Sequence, residues 1–113
     1  MQTPPMLRLR VADSFRLRLL GIRALRWTGD DQGLLLTPCR AIHTFFLSQA
    51  LDVVFLDSMA SERGCVHSLQ PSRVAFRMGA QMVVELPAGY CRRHPDYLAH
   101  IRLALDRQGY LQP

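Results

Sequence analysis

The stretch HTFFLSQALDVVFLD, residues 43–57, decides the fold. Its second half, residues 51–56, is apolar on both faces of an extended chain except at Asp52. We therefore predict that the stretch forms a buried β-hairpin arm. An ionised carboxylate taken out of water costs several kcal/mol unless it is paired or hydrogen-bonded. We therefore expect a partner for Asp52 from elsewhere in the chain, either Arg18 or a backbone donor.

Further apolar runs with a period of two residues lie on both sides of this stretch, separated by glycine, proline and aspartate turns. These runs predict strands over residues 7–12, 34–38, 43–57, 65–71 and 80–87. Residues 58–64 are predicted as a turn and residues 72–79 as a loop. Short strands at such regular spacing favour a mostly β, single-domain fold with barrel-like or sandwich packing.

Two short peripheral helices complete the predicted fold. The first covers residues 14–20 and follows Asp13, which is a candidate cap. The second covers residues 96–107, where apolar side chains recur at helical spacing. We divide the chain into a flexible N-terminus, a β domain and a helical tail packed on that domain, over residues 1–6, 7–91 and 92–113 respectively.

The composition is that of a soluble globular domain, with 49% hydrophobic and 20% charged residues. No apolar run matches a signal peptide or a membrane-spanning helix, so we predict a cytoplasmic location. The three cysteines are odd in number and widely spaced, which favours reduced thiols over a disulfide framework.

The net charge of +5 arises from residues 1–26, where arginines alternate with leucine and valine as on the exposed face of an edge strand. No aromatic side chains are interleaved with these arginines, so the stacking surface of a single-strand nucleic-acid binder is missing. We predict no nucleic-acid partner. The glycines do not cluster into a phosphate-binding loop, and we predict no cofactor.

Four segments in this order resemble one known family: RLLGI at 18–22, GLLLTPCRAIHTFFL at 33–47, LDVVFLD at 51–57 and VVELPAGYC at 83–91. The chain resembles the bacterial and archaeal domain of unknown function 192 family. The positions that match the family pattern are Arg18, Gly21, His43, Thr44, Asp52, Phe55, Glu85 and Gly89. The resemblance implies a small, mostly β domain with no agreed biochemical activity.

A polar network is predicted from Arg18, Asp52 and Glu85, which come from three separate elements and lie in apolar stretches. A guanidinium group can hold one carboxylate in two hydrogen bonds and reach a second acceptor. His43 and Thr44 would add donors and acceptors beside this network. The polar network has two possible roles: it fixes the strand register and the docking of a helix, or it lines a ligand pocket. Our first hypothesis is a non-enzymatic accessory domain that binds another protein or a small polar ligand.

The alternative hypothesis is a small hydrolase or metal-dependent enzyme that uses His43, Asp52 and Cys39. No nucleophile motif of the Gly-x-Ser-x-Gly type supports it. Cysteine and histidine also recur as couples, Cys39 with His43, Cys65 with His67 and Cys91 with His94. Because structural zinc normally draws two ligands from one tight turn and these couples fall on different elements, we predict no metal site. The oligomeric state stays open.

Overall fold

The computed structural model describes residues 6–11, 31–45 and 47–111. These residues form strands β1 to β7, which cover Arg8–Val11, Gln32–Leu36, Ala41–His43, Leu51–Leu56, Glu62–Leu69, Val74–Phe76 and Met82–Pro87. They also form helices α1 and α2, which cover Tyr90–Arg93 and Tyr97–Arg107. The predicted helix over residues 14–20 lies outside the described residues.

The strands form two sheets. The main sheet has the order β1-β2-β7-β4-β5, in which β1 and β2 are parallel and the other neighbours are antiparallel. The small sheet pairs β3 with β6 in antiparallel fashion. The mostly β prediction is confirmed. Neither sheet closes into a barrel, and the arrangement is compatible with sandwich packing.

Each face of the main sheet is covered by its own apolar cluster. The helix-side core lies between the main sheet and the two helices and includes Leu35, Val54, Leu56, Val84, Leu86, Ile101 and Leu105. The small-sheet-side core lies on the opposite face and includes Leu34, Leu36, Ile42, Leu51, Val53, Phe55, Ala75 and Val83. Successive residues of a strand point to opposite faces, so the central strands β4 and β7 feed both clusters and read as continuous apolar runs.

The predicted hairpin arm over residues 43–57 is wrong in its pairing. β3 ends at His43 and belongs to the small sheet, whereas β4 begins at Leu51 and lies between β7 and β5 in the main sheet. The predicted loop over residues 72–79 contains β6, which is the partner of β3. The two strands of the small sheet are short and far apart in sequence, so their pairing leaves little local signal.

Helix α2 confirms the predicted C-terminal helix and packs on the main sheet. Ile101 and Leu105 are fully buried in the helix-side core. Gln108 Nε2 donates a hydrogen bond of 3.0 Å to the carbonyl of Leu9 in β1. Among the residues that the structure describes, no helix is long and apolar enough to cross a membrane.

Candidate functional site

Asp52 is fully buried on β4, an interior strand of the main sheet, and accepts three backbone hydrogen bonds. Ser68 N and Gly89 N donate to its Oδ1 atom at 2.8 and 3.1 Å, and Cys91 N donates to Oδ2 at 2.9 Å. The expectation that Asp52 is buried with a partner from elsewhere in the chain is confirmed. The partners are main-chain amides, and both carboxylate oxygens are engaged.

The local backbone explains why these amides are available to Asp52. Gly89 adopts the left-handed conformation with φ 86° and precedes α1, whose first turn leaves its amides without helical acceptors. Ser68, with φ 51°, lies where the pairing of β4 with β5 is irregular. A carboxylate at a helix N-terminus is also favoured by the helix dipole. Asp52 therefore caps α1 from a neighbouring strand and holds β5 in place.

Glu85 lies on the opposite face of the main sheet from Asp52. The pairing of β4 with β7 sets Val53 against Glu85 and Asp52 against Leu86, so the two carboxyl groups point away from each other. A single network that contains both carboxylates is therefore not formed. Arg18, the third predicted member, lies outside the described residues.

Glu85 is only 4% exposed, and burial raises the pKa of its carboxyl group to about 7. Among the residues that the structure describes, its Oε2 atom has no hydrogen-bond partner. The neutral, protonated form of this side chain is therefore favoured in the folded protein up to near pH 7.

Thr44 and His43 belong to the small sheet and its connection. Thr44 is fully buried, and its Oγ1 atom donates to the carbonyl of Gln70 at 2.7 Å and accepts from Arg73 N at 2.8 Å. His43 is exposed and stacks on Phe45 with ring centroids 5.0 Å apart. Thr44 thus ties the end of β3 to the residues that precede β6.

The three residues of the hydrolase or metal-enzyme hypothesis, His43, Asp52 and Cys39, do not come together in one site. Asp52 faces the helix-side core, whereas β3, which ends at His43, packs on the other face of the main sheet. The Cys39 thiol donates a hydrogen bond of 3.1 Å to the carbonyl of Ala41. Over residues 6–11, 31–45 and 47–111, no three side chains of histidine, cysteine, aspartate or glutamate are grouped so that they could hold a metal ion.

An exposed apolar surface on the small sheet was not predicted. Ile42 and Ala75 point inward, so the residues on either side of them in β3 and β6 point outward, with His43 opposite Val74. We call this outward surface the β3–β6 face, formed by Ala41, His43, Phe45, Val74 and Phe76. Val74 is 65% exposed, Phe76 45% and Phe45 44%. Exposed side chains of this size in adjacent positions are typical of an interaction site.

The chain around this face is basic. Residues 37–47 and 70–81 contain Arg40, Arg73 and Arg77 but no aspartate or glutamate. Arg40 and Arg73 are exposed. Arg77 lies over the Phe55 ring, 5.4 Å from its centroid, and donates to the carbonyl of Phe76 at 2.8 Å. The two segments therefore combine aromatic side chains with positive charge alone.

A sequence comparison identifies the family. A family model for domain of unknown function 192, described as an uncharacterised ACR, matches residues 2–95. The chain belongs to the domain of unknown function 192 family. The resemblance predicted from the four sequence segments is confirmed, and no curated protein matches the chain significantly.

Two solved structures of other proteins share the fold of this chain. A protein of unknown function from Novosphingobium aromaticivorans DSM 12444 is similar with a TM-score of 0.68 and 17% identity, over 77% of this chain and 67% of its own. A protein of Sinorhizobium meliloti 1021, provisionally named a transcription regulator, has a TM-score of 0.69 and 21% identity, over 77% of this chain and 73% of its own. At these identities the likeness establishes the fold alone.

Proposed function

We propose that this chain is a non-enzymatic binding domain whose β3–β6 face docks an acidic, apolar segment of another protein. The observation that carries this function is the set of exposed apolar side chains on that face, above all Val74 at 65%, Phe76 at 45% and Phe45 at 44%. Exposure of such residues costs solvation free energy, and a partner that covers them recovers it.

The chemistry of the partner follows from the charge around the face. Arg40 and Arg73 are exposed, and residues 37–47 and 70–81, which carry the face, contain no carboxylate, so these segments offer an acidic partner positive charge. Aromatic and arginine side chains are also enriched at the centres of protein interfaces. An apolar anchor flanked by aspartate or glutamate therefore fits this surface best.

The β3–β6 face is held in a fixed position, which lowers the entropy lost on binding. Ile42 and Ala75 anchor the small sheet in the small-sheet-side core. Thr44 joins the residues after β3 to those before β6 through its hydroxyl group. Cys39 N donates to the carbonyl of Gln81 at 2.9 Å and fixes the other end of the small sheet.

The predicted polar set is a weaker candidate for a binding site. Both oxygens of Asp52 already accept backbone hydrogen bonds, and Thr44 uses its hydroxyl group within the fold. We therefore assign Asp52 and Thr44 a structural role. We also propose a cytoplasmic location, because Cys39, Cys65 and Cys91 are not joined in disulfides, as is usual in a reducing compartment.

Paired peptide libraries test the proposed function. Two displayed libraries have the same length and apolar residues, and their polar positions carry aspartate and glutamate in one and lysine and arginine in the other. We expect binders from the acidic library alone. Titration of the best binder into isotope-labelled protein should shift the amide resonances of β3 and β6.

Three results would contradict this function. Binders from the basic library alone would reverse the charge argument, and resonance shifts confined to α2 or β1 would place binding elsewhere. Sedimentation of the protein with anionic lipid vesicles, without any peptide binding, would indicate a membrane surface as the occupant. Stable dimers that bury Val74 and Phe76 would instead identify a second copy of this chain.

A further inference from the structure

A pair of thiols lies beside the Asp52 cap, on the opposite side of the main sheet from the β3–β6 face. The Sγ atoms of Cys65 on β5 and Cys91 in α1 are 3.9 Å apart, which is close to van der Waals contact. Cys91 is buried at 3% exposure, and its backbone amide is held by Asp52. A disulfide bond would require these two sulfur atoms to come about 2 Å closer together.

The two thiols differ in access and in polar surroundings. Cys65 is partly exposed on an edge strand, and His67 Nε2 lies 3.8 Å from its sulfur. The hydroxyl group of Tyr97, which donates a hydrogen bond to Glu62, also lies beside Cys65. Cys65 therefore faces both solvent and donor groups, whereas Cys91 faces the helix-side core.

The same surroundings separate the acidities of the two thiols. The hydrogen-bonding contact with the Cys91 thiol, with a smaller contribution from Tyr97, lowers the pKa of Cys65 against the opposing effect of burial. The pKa of Cys91 is raised far above its usual range by its contact with Cys65 and by burial. A thiolate is the reactive form of cysteine, so Cys65 is the more nucleophilic member of the pair.

We propose that Cys65 and Cys91 form an oxidisable dithiol that hydrogen peroxide converts into an intramolecular disulfide. The Cys65 thiolate attacks one peroxide oxygen, the O–O bond breaks, and hydroxide leaves and is protonated to water. Cys91 then loses its proton and attacks the sulfur of the Cys65 sulfenic acid, and the S–O bond breaks to release a second water. Two thiols are oxidised to one disulfide, and one peroxide is reduced to two waters.

The disulfide would connect two elements that are joined only by non-covalent contacts. It would link the edge strand β5 to α1, across the chain segment that includes β6 and β7. Such a crosslink restricts the unfolded chain, and we expect the thermal midpoint of the oxidised protein to rise by roughly 10 °C. This site is independent of the β3–β6 face and needs no bound partner.

Peptide mapping after peroxide treatment tests the dithiol. Trypsin cleaves after arginine and places Cys65, Cys91 and Cys39 in separate peptides, residues 64–73, 78–92 and 27–40. We expect residues 64–73 and 78–92 to be joined without reduction and to have lost two hydrogens, while Cys39 remains alkylatable. Reduction should separate them and reverse the thermal shift.

Single-cysteine variants test the order of the steps. In Cys91→Ser we expect Cys65 to stop at the sulfenic acid, which dimedone traps. In Cys65→Ser we expect Cys91 to react with peroxide at least ~10-fold more slowly than Cys65 does in the parent protein. The Cys39→Ser variant serves as the matched control and should oxidise like the parent. Circular dichroism of each variant shows that it is folded.

Two results would overturn the dithiol. The first is oxidation that joins two chains through Cys39 and leaves Cys65 and Cys91 as free thiols. The second is conversion of Cys65 to sulfinic acid in the parent protein while Cys91 remains alkylatable, because a resolving thiol in contact would have captured the sulfenic acid first.

Discussion

The Oδ2 atom of Asp52 accepts a hydrogen bond of 2.9 Å from the backbone amide of Cys91, and this contact joins β4 to the start of α1. The second oxygen of the same carboxylate accepts from Ser68 and Gly89. One buried side chain thus fixes β5, the turn after β7 and the short helix α1. It also sets the position of Cys91 beside Cys65.

Replacement of this carboxylate by an amide should destabilise the fold. Asp52→Asn keeps the volume of the side chain but leaves only one carbonyl oxygen for three backbone donors. The new amide group turns a donor toward those backbone amides, and the negative charge at the start of α1 is lost. We expect a loss of about 2 kcal/mol, and more than ~1 kcal/mol, in the free energy of unfolding measured in urea.

The control for this change is Asp106→Asn, at an exposed carboxylate in α2. It should alter the free energy of unfolding by less than ~0.5 kcal/mol. If Asp52→Asn is as stable as the parent protein, the three backbone hydrogen bonds do not hold the elements together.

Much of the environment of Asp52 could be predicted from sequence, and its partners could not. The apolar run around it predicted a central strand and a buried carboxylate that needs partners. Those partners are main-chain amides at Ser68, Gly89 and Cys91, and the identity of a side chain does not record what its backbone amide contacts. The sequence therefore left the partner of Asp52 open between Arg18 and a backbone donor, and it did not indicate which amides would donate.

The prediction and the structure also differ in the faces on which Asp52 and Glu85 lie and in the pairing of β3 with β6. Both features depend on contacts between strands that are distant in sequence. Asp52 and Glu85 both lie in apolar strands, but whether they share a face depends on the register between β4 and β7, which neither strand specifies alone. The β3–β6 pairing involves short strands, and β6 has the sequence VAF between two polar residues. Its outward residues are apolar, so the usual alternation of polar and apolar positions is absent.

Glu85 should give the protein a measurable pH dependence. Its pKa rises from 4.5 to about 7 on folding because of burial, so the folded state binds the proton more tightly than the unfolded state. The resulting stabilisation is complete below about pH 4.5 and is lost as the pH rises through about 7. A shift of this size corresponds to about 3 kcal/mol.

The matched variant for this effect is Glu85→Gln, which is neutral at every pH. We expect the difference in unfolding free energy between the variant and the parent to grow in favour of the variant from pH 5 to pH 8. A difference that is constant, or that favours the parent as the pH rises, would indicate an ionised Glu85 held by a cation such as the predicted partner Arg18.

Thr44 should stabilise the small sheet through its hydroxyl group. In Thr44→Val the shape is kept, but the carbonyl of Gln70 and the amide of Arg73 lose their partner. We expect a loss of about 1–3 kcal/mol, with faster hydrogen exchange at the amides of β3 and β6. Thr44→Ser retains the hydroxyl group and should show the slower exchange of the parent. Equal exchange in the valine variant would show that the hydroxyl group does not fix the small sheet.

The most direct measurement of the binding function compares two charge insertions at exposed apolar residues. Val74 is 65% exposed on the β3–β6 face, and Met59 is 70% exposed in the turn before β5. Titration of the selected acidic peptide should give a Kd at least ~10-fold weaker for Val74→Glu, about 1.4 kcal/mol, and unchanged for Met59→Glu. Equal affinity of Val74→Glu and the parent protein, with both variants folded, would contradict the assignment of the β3–β6 face as the binding site.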